Sequence, residues 1–506
     1  MKKYLILPVL VTIICQAQTA SKPNIIVVLA DDLGYGDVSA YGSKTINTPN
    51  IDRLSKEGIS FTNGYATSAT STPSRYALMT GMYPWRNDNA KILAGDAPLL
   101  ISESQLTLPK IMKQVGYKTG AIGKWHLGMG IGKTDWNKKI TPGANEIGFD
   151  YSYLIAATVD RVPTVYIENG MVAGLDPNDP IQVDYTKNFE EKPTALTNPE
   201  LVRMLWSHGH NNSVINGIPR IGFMKGGKSA IWKDDEMAIY LADKVDTFLI
   251  ENKNQPFFLY YGLHEPHVPR VPHSDFVGKS GMGPRGDAIL EADWCIGKLL
   301  ENLEKQNLLE NTIIIFSSDN GPVLNDGYKD DAVEKLGNHK PSAALRGGKY
   351  SLFDAGTRVP FFVFWKGKIQ PHKSDAVVCQ MDLLPSIAKI VGVKVNQKID
   401  GEDFSSTLFG IENKSRKKLI VEASGRLAMR NGNWILIPPY NGPIRNETGN
   451  ELGNLKEYGL FDIKDDEGQL YNIASKNPKK LKQLKSVFNQ ITKGYYNQNI
   501  EQEKLR

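Results

Sequence analysis

The feature that most constrains the fold is an uninterrupted apolar run near the start of the chain. Residues 24–30 read NIIVVLA, a pattern typical of a strand buried on both faces of a parallel sheet. Comparable runs occupy residues 256–261, 312–316 and 359–365, and apolar residues recur at helical spacing over 237–249 and 289–303. This alternation predicts an α/β fold. Its large, mixed, mostly parallel sheet should be flanked by helices, with ligands bound at the carboxyl ends of the strands.

The pattern changes after about residue 410. Short strands are predicted around 427–437 and 458–462, followed by a Lys-rich helix over about 477–493. We therefore predict a main domain over residues 18–410 and a smaller α+β subdomain over residues 411–506, with a small antiparallel sheet and a helix. Residues 130–235 are rich in Gly, Pro and Asn and show little periodicity. A loop of that length is more often functional than a simple spacer.

The first residues have the pattern of a signal peptide. A basic start at Lys2 and Lys3 precedes an apolar stretch over 4–14, and small residues at Cys15 and Ala17 suit cleavage after residue 17. Residues 1–17 are thus predicted to be removed, giving a secreted or periplasmic protein. The alternative, a lipid-anchored Cys15, lacks the usual small residues before the cysteine. No later stretch reaches the length of a transmembrane helix.

Composition narrows the function without deciding it. The 506 residues are 41% hydrophobic and 23% charged, which excludes a mainly disordered, collagen-like or coiled-coil chain. The net charge of +5 is spread along the chain and suits an anionic substrate, and we assign no nucleic-acid partner. Beyond residue 17 only Cys295 and Cys379 remain, enough for one disulfide at most.

Two predicted strands end in oxygen ligands. Asp31 and Asp32 follow the first strand, and Asp319 and Asn320 follow the strand at 312–316. Adjacent carboxylates repel each other unless a cation lies between them, and carboxylate and amide oxygens suit Ca²⁺ or Mg²⁺. A zinc phosphatase would be expected to place His beside the second Asp. A solvated turn is the alternative interpretation of the Asp pair.

A second motif, Ser71-Thr72-Pro73-Ser74-Arg75, indicates the start of a helix. Pro73 suits the first helical turn, so Ser71 should lie at or near the N-cap. Free helix N–H groups attract a tetrahedral anion, and Arg75 adds a fork of donors. A capping serine beside a surface arginine is the alternative, but the motif continues into Leu-Met-Thr-Gly at residues 78–81.

With these motifs the chain resembles the type I, formylglycine-dependent sulfatases of the alkaline phosphatase superfamily, including secreted bacterial carbohydrate sulfatases. The resemblance covers nearly all of residues 23–475. It is carried by DDLGYGD at 31–37, TPNID at 48–52, STPSR at 71–75, GKWHLG at 123–128, PH at 266–267, SDNG at 318–321 and RGGK at 346–349. It implies an alkaline phosphatase-like fold and hydrolysis of sulfate monoesters.

The resemblance also implies a role for each matching position. Calcium would be held by Asp31, Asp32, Asp319 and Asn320 together with residue 71. The aldehyde hydrate and the sulfate oxygens would be bound by Arg75, Lys124 and His126. The bridging oxygen would be contacted, and the leaving alcohol protonated, by His267 and Lys349.

The first residue of the signature, Ser71, is converted to formylglycine in the family. One hydroxyl of the aldehyde hydrate attacks sulfur, and the second allows sulfate to leave, whereas plain serine would keep a stable sulfate ester. Serine in place of the commoner cysteine implies maturation by an enzyme of the anaerobic type. A laboratory substitution is the other explanation. Arg358 follows Asp354-Ala355-Gly356, where the family has a different sequence, and is expected to be structural.

The substrate is predicted to be a sulfated carbohydrate, with sulfated galactose or N-acetylgalactosamine as the specific hypothesis. The candidate sugar contacts lie in predicted loops and are His208, His210, His264 and Glu334, together with Asp160, Arg161, Lys225, Lys228 and Asn338. Two other functions stay open. One is a phosphomonoesterase or phosphodiesterase of the same superfamily that uses Ser71 directly, and the other is an inactive protein that binds sulfated glycans.

Overall fold

The computed structural model describes residues 22–190 and 192–493. The predicted signal peptide lies outside these residues. Numbered in chain order, the strands are β1 Asn24–Ala30, β2 Ile59–Tyr65, β3 Lys118–Lys124, β4 Tyr151–Ile155, β5 Tyr166–Glu168, β6 Met171–Val172, β7 Gln182–Asp184, β8 Val214–Ile215, β9 Ile218–Pro219, β10 Phe223–Lys225, β11 Phe257–Gly262, β12 Thr312–Ser318, β13 Phe361–Trp365, β14 His372–Cys379, β15 Lys418–Ala423, β16 Arg426–Asn431, β17 Trp434–Ile437 and β18 Gly459–Asp462. The α-helices are α1 Pro49–Lys56, α2 Ser71–Thr80, α3 Leu108–Gln114, α4 Met237–Asn252, α5 Gly283–Lys305, α6 Leu383–Ile390, α7 Ser405–Leu408 and α8 Pro478–Thr492.

Ten strands form one mixed sheet in the order β14-β2-β13-β12-β1-β11-β3-β4-β5-β6. Its centre, β12-β1-β11-β3-β4, is entirely parallel. The strand predicted at 359–365 is present as β13, but it runs antiparallel to β12. The large, mostly parallel sheet predicted from the apolar runs is confirmed.

Alternate residues of β1 explain why helices cover both faces of the sheet. Ile25, Val27 and Leu29 are buried in one core with residues of α2, α3 and α6. Ile26 and Val28 are buried in a second core with residues of α1, α4 and α5. Because side chains alternate along a strand, a continuous apolar run fills both layers, and each buried side chain contributes about 1.5–3 kcal/mol.

The motif at 48–52 builds the fold rather than the site. Asp293 of α5 accepts hydrogen bonds from the backbone N–H groups of Asn50 and Ile51, at 3.0 and 2.8 Å, and so caps α1 from a neighbouring helix. Asp52 in turn accepts hydrogen bonds from Ser39 and from the N–H group of Ala40. These contacts fix the segment that follows β1.

The C-terminal part contains the predicted antiparallel sheet, in the order β15-β16-β17-β18, and the predicted Lys-rich helix is α8. The predicted boundary at residue 410 lies between α7 and β15 and stays a prediction. Beyond it, β15 contacts the segment between β2 and α2: the N–H of Ala69 donates to the Glu422 carbonyl (2.8 Å), and the N–H of Glu422 donates to the Thr67 carbonyl (2.9 Å). Ser68 also donates to the buried Glu422 carboxylate. The C-terminal sheet thus holds the segment that leads into α2.

The region 130–235 is not structureless, since it contributes β4 to β6 to the main sheet and β7 to β10 to two small ribbons. Cys295 and Cys379 are both buried and unpaired. They lie in different cores, so the single disulfide that the composition allowed is not formed. Within the described residues, no helix combines the length and apolar character needed to cross a membrane.

Candidate active site

Four neighbouring strands place their carboxyl ends side by side and gather the predicted site residues there. Asp31 and Asp32 follow β1, Asp319 follows β12, and Lys124 is the last residue of β3. The segment after β11 carries His267. The order β12-β1-β11-β3 is parallel throughout, so all four ends meet at one edge, where ligands bind in open α/β sheets.

The carboxylates of this edge are buried and held close together. Asp31, Asp32 and Asp319 each have no exposed surface, and one ligand atom of each of Asp31, Asp32 and His267 lies within 4.8 Å of the others. Burial raises the pKa of Asp31 well above its ordinary value. Lys124 opposes this shift, and Asp319 and Asp32 add to it. Such a group gains from a nearby cation.

The side chain of Asn320 shows whether a cation would fit beside the buried carboxylates. Its amide Nδ2 donates to Asp32 Oδ1 at 2.7 Å and to the Gly321 carbonyl at 3.0 Å. Its Oδ1 is buried and has no hydrogen-bond partner among the described residues. A buried carbonyl oxygen left unpaired beside carboxylates is costly unless it binds an ion, and an all-oxygen set suits Ca²⁺ or Mg²⁺. The donor set therefore fits one hard cation.

Ser71 is the first residue of α2, as the Pro73 position predicted, and only 3% of its surface is exposed. Lys124 Nζ donates to Ser71 Oγ at 2.9 Å and to Asp31 Oδ2 at 2.5 Å. The Ser71 hydroxyl donates to Asp31 Oδ1 at 3.3 Å. The side chain at position 71 thus lies between a lysine ammonium, a carboxylate and the positive end of a helix.

Arg75 is fully buried, and its guanidinium donates hydrogen bonds to buried groups of the protein. Nε and Nη2 donate to Asp319 Oδ2 at 3.0 and 2.8 Å. Nη1 donates to the Tyr260 hydroxyl at 2.6 Å and to the Lys124 carbonyl at 3.2 Å. Burial by itself would raise the pKa of Asp319, but Arg75 and Lys124 outweigh it and hold that pKa below its ordinary value. In this arrangement Arg75 keeps Asp319 charged and in place.

Tyr260 is a site residue that the sequence analysis missed. It lies in β11, in a run that indicated only a buried strand, and the contact of its hydroxyl with Arg75 depends on two segments distant in the sequence. The available signal was a tyrosine inside a fully apolar strand. A buried phenol needs a hydrogen-bond partner, which points to a polar cluster nearby.

The hydrogen bonds of His126 define which of its ring nitrogens is free. Nε2 lies 3.0 Å from the Leu93 carbonyl, an acceptor, so Nε2 carries the proton. Nδ1 then carries a lone pair, and it is buried without a hydrogen-bond partner among the residues described. Burial, with Lys124 and Arg161 adding to it, holds the pKa of His126 well below its ordinary value. The ring is neutral and offers an acceptor.

His267 and Lys349 both lie near the same oxygen of Asp32, Oδ2. His267 donates from Nδ1 to the Val268 carbonyl at 2.6 Å, and its Nε2 lies 3.8 Å from Asp32 Oδ2. Lys349 Nζ donates to Asp32 Oδ2 at 2.8 Å and to Asp326 Oδ2 at 2.7 Å. Asp326 was not predicted as a site residue. Burial, followed by Lys349 and Lys124, lowers the pKa of His267, so its Nε2 is an acceptor unless a bound anion stabilises the protonated ring.

Four of the predicted catalytic residues, Ser71, His126, His267 and Lys349, line a cavity of about 520 Å³, a volume that includes space open to solvent. The residues Arg75, Lys124, Asp31, Asp32, Asp319 and Asn320 are not among those that line it. Its walls include the predicted contacts Asp160, Arg161, His208 and His210, together with Ser71, Ile92, His126, Gly209, Ile221, His267, Asp326, Gly327, Lys349, Tyr350 and Thr448.

Asp160 links part of the wall into one network. Its Oδ2 lies 2.8 Å from His210 Nε2, and its Oδ1 accepts a hydrogen bond from Arg161 at 3.0 Å. Gly327 makes room for the His210 ring, because a Cβ at this glycine would lie 1.9 Å from Nδ1 of His210. A side chain at residue 327 would therefore displace the network.

The other predicted contacts lie elsewhere. His264 lines a separate cavity of about 280 Å³ next to Glu265, and that cavity shares His267 with the larger one. Glu334, Lys225, Lys228 and Asn338 are exposed and are not among the residues that line the larger cavity. Arg358 pairs with Asp354 at 3.3 Å and with Glu467 at 3.2 Å, away from the cavity, as expected of a structural residue.

A mostly parallel α/β sheet with a helix N-terminus and a buried oxygen-ligand cluster at its carboxyl edge defines an alkaline phosphatase-like hydrolase. Comparison with known families matches residues 23–393 to the family described as Sulfatase. The chain therefore belongs to the sulfatase family and is a sulfuric ester hydrolase.

Individual relatives agree with this assignment. The chain is similar to an N-acetylgalactosamine-6-O-sulfatase of Bacteroides thetaiotaomicron, with 48% identity over 94% of each chain. It is 30% identical to arylsulfatase A of Bos taurus, over 90% of this chain and 84% of the bovine protein. Among solved structures, a sulfatase from a study of glycosaminoglycan metabolism by Bacteroides thetaiotaomicron superposes with a TM-score of 0.92 at 48% identity, covering 93% of this chain and 99% of the other.

The Tyr260 contact leads to a first prediction. We expect Tyr260→Phe to lower kcat by about tenfold, because Arg75 loses a charge-assisted hydrogen bond and holds Asp319 less firmly. KM should change little, since Tyr260 does not line the cavity. Steady-state hydrolysis of a sulfate ester measures both constants, and Tyr471→Phe, at a tyrosine that is 71% exposed, is the matched control. If Tyr260→Phe kept the wild-type kcat, the Tyr260 hydroxyl would have no role in the active site.

Proposed function

We propose that the protein removes the 6-sulfate group from N-acetylgalactosamine in sulfated glycans, using formylglycine at position 71 and one calcium ion. The observation that carries this proposal is the position of Ser71 Oγ at the cavity floor, 2.9 Å from Lys124 Nζ and 3.3 Å from Asp31 Oδ1. The choice of sugar is supported by the 48% identity to a protein named N-acetylgalactosamine-6-O-sulfatase.

The calcium ion would be held by Asp31, Asp32, Asp319 and the free Oδ1 of Asn320. When bound, it supplies positive charge to sulfate oxygens and to the oxygen at position 71. Arg75 and Lys124 already neutralise part of the carboxylate charge, through contacts of 2.8 Å to Asp319 and 2.5 Å to Asp31. The protein residues therefore prepare the site for an anionic ester and do not leave this task to the metal alone.

Conversion of Ser71 to formylglycine would give an aldehyde, and addition of water would give a geminal diol. Its first hydroxyl could attack sulfur, and its second, once deprotonated, could re-form the aldehyde and expel sulfate by cleavage of the C–O bond. The second hydroxyl needs a base, and the unpartnered Nδ1 of His126 is suited to accept its proton. Because only 3% of Ser71 is exposed, a converting enzyme reaches it before the chain folds. Serine at this position favours a partner of the anaerobic sulfatase-maturing type.

The leaving alcohol would depart toward Lys349 and His267. Both residues line the cavity, and their side-chain nitrogens lie 2.8 and 3.8 Å, respectively, from Asp32 Oδ2. The Lys349 ammonium can hydrogen-bond to the bridging oxygen as negative charge develops there. His267 Nε2 lies in the same region and can share the proton during bond cleavage.

The sugar would be recognised by the network around Asp160. Buried charged groups that pair with one another and also line a cavity can bind hydroxyl groups with little reorganisation. Asp160 is 2% exposed and His210 is 9% exposed, and both line the cavity. His208 lies 2.5 Å from Glu447 across the opening. We propose these residues as the contacts that select the sugar.

The signal peptide predicted over residues 1–17 completes the proposal. It would direct the chain out of the cytoplasm, to the periplasm or the exterior, where sulfated polysaccharides are encountered. A secreted location agrees with the degradation of extracellular glycans by the proposed activity.

Conversion of Ser71 can be tested directly. In protein from the native host, the peptide containing residue 71 should have lost two hydrogens, because oxidation of the serine hydroxyl gives an aldehyde. Peptide mass spectrometry measures this change. Ser71→Ala should fold normally and show no turnover. An active protein with unmodified serine would contradict the formylglycine mechanism and favour direct attack by Ser71.

Removal of the cation should abolish activity. We expect dialysis against EGTA to inactivate the protein and Ca²⁺ to restore it, because Asp31, Asp32, Asp319 and Asn320 offer only oxygen ligands. Asn320→Ala should raise the Ca²⁺ concentration that gives half activity by about tenfold or more, as expected when one ligand is lost. Asn338→Ala, at an exposed asparagine, is the control. Restoration by Zn²⁺ but not by Ca²⁺ would argue for a phosphatase-like site.

The substrate can be tested with a panel of sulfated sugars. Sulfate release from N-acetylgalactosamine 6-sulfate should exceed release from the 4-sulfate by at least about 100-fold in kcat/KM, because pocket hydrogen bonds discriminate between ester positions. His210→Ala should raise KM for the preferred sugar, whereas Glu334→Ala, at an exposed residue, should leave it unchanged. Equal release from both isomers would overturn the proposed position specificity.

A further inference from the structure

Lys349 is held from two sides by carboxylates of different kinds. Its Nζ donates to Asp32 Oδ2 at 2.8 Å and to Asp326 Oδ2 at 2.7 Å. Asp32 belongs to the proposed cation ligands, whereas Asp326 follows Asn325 in a loop beyond β12 and is not a proposed ligand. An ammonium group has three N–H donors. Two are used by these carboxylates, which leaves one for a substrate at the cavity floor.

Asp326 is itself firmly held. Its Oδ1 accepts a hydrogen bond from the Tyr350 hydroxyl at 2.9 Å, and only 6% of the residue is exposed. The next residue, Gly327, accepts a hydrogen bond at its carbonyl from the N–H of Ser207, at 2.9 Å. Tyr328 donates its hydroxyl to the Pro219 carbonyl at 2.5 Å. The loop is therefore tied to the segment 207–219, and it holds the Asp326 carboxylate at a fixed point beside Lys349.

We infer that Asp326 is a positioning residue that directs the Lys349 ammonium toward the bridging oxygen of the sulfate ester. The inference rests on the proposed function, in which Lys349 faces the leaving group. As the new S–O bond forms, the S–O bond to the alcohol breaks and its electron pair passes to the bridging oxygen. That oxygen accepts a hydrogen bond from the third N–H group of Lys349 as it leaves, and the proton that the attacking hydroxyl gives up balances the proton that the alcohol gains. Without the Asp326 carboxylate, Asp32 is the one hydrogen-bond partner that Lys349 Nζ keeps among the described residues, and the ammonium turns toward the cation ligands.

This role has a consequence that depends on the leaving group. A sugar alkoxide is strongly basic and leaves poorly without a proton, whereas 4-nitrophenolate leaves readily without one. If Lys349 is held less firmly, the hydrolysis of sulfate esters of basic alcohols should therefore slow, whereas the hydrolysis of esters of acidic phenols should change little. A general loss of folding or of metal binding would slow both kinds of ester equally.

The test compares Asp326→Asn with wild-type protein that mass spectrometry shows to be equally converted at Ser71. On the sugar sulfate we expect kcat to fall by about 30-fold, somewhat less than the roughly 100-fold or more that is lost when a charge-stabilising donor is removed outright, with KM within about twofold. Along a series of substituted phenyl sulfates, the loss should grow from little for 4-nitrophenyl sulfate to an intermediate value for 4-methoxyphenyl sulfate, because 4-methoxyphenol is less acidic than 4-nitrophenol but more acidic than a sugar alcohol. Tyr350→Phe, which frees Asp326 without changing its charge, should give the same pattern with a smaller loss.

Asp331→Asn is the matched control and should retain wild-type constants, because Asp331 is exposed and pairs only with Lys335 among the described residues. An equal loss on every phenyl sulfate would overturn the inference in favour of a structural role for Asp326. A raised KM for the sugar with unchanged kcat would overturn it in favour of a direct sugar contact. Absence of turnover in the wild-type protein itself would instead contradict the proposed function.

Discussion

The active edge of this protein depends on burying three carboxylates close together without leaving a charge unpaired. Asp31, Asp32 and Asp319 are fully buried at the ends of adjacent parallel strands. An isolated buried carboxylate costs several kcal/mol, so each needs a cation, a lysine or an arginine beside it. Arg75 and Lys124 supply two of these charges from α2 and β3. The apolar cores position the strands and α2, and this electrostatic requirement explains why Arg75, Lys124 and the proposed calcium lie beside the three carboxylates.

Much of this arrangement could be predicted from the sequence, because it depends on local patterns. A continuous apolar run indicates a central parallel strand, and the carboxyl ends of such strands share one edge. Asp31 and Asp319 could therefore be placed together although they are far apart in the chain, and β1 and β12 are indeed paired. Pro73 likewise predicted where α2 begins, because proline is tolerated in the first turn of a helix and not in its interior.

The contacts missed by the sequence analysis are those that arise only when loops fold over the sheet. Tyr260 looks like an ordinary strand residue until α2 brings Arg75 to its hydroxyl. Asp326 lies in a stretch without periodicity, and its contact with Lys349 spans 23 residues of irregular chain. Glu334, nearby in sequence and equally acidic, is exposed. Composition cannot distinguish the two, because the path of the loop decides which carboxylate turns inward.

The cavity separates the groups that act on sulfate from those that face the sugar. Most of the former lie at strand ends or on α2, where backbone hydrogen bonds restrict their movement. The latter come from loops, including His208, which pairs with Glu447. Changes in these loops can therefore alter the sugar that is accepted without disturbing the buried charged residues at the carboxyl ends of the strands. Lys349 is where the two parts join, since one carboxylate that holds it belongs to the rigid edge and the other to a loop. A change of sugar specificity at that loop would therefore also affect the departure of the alcohol.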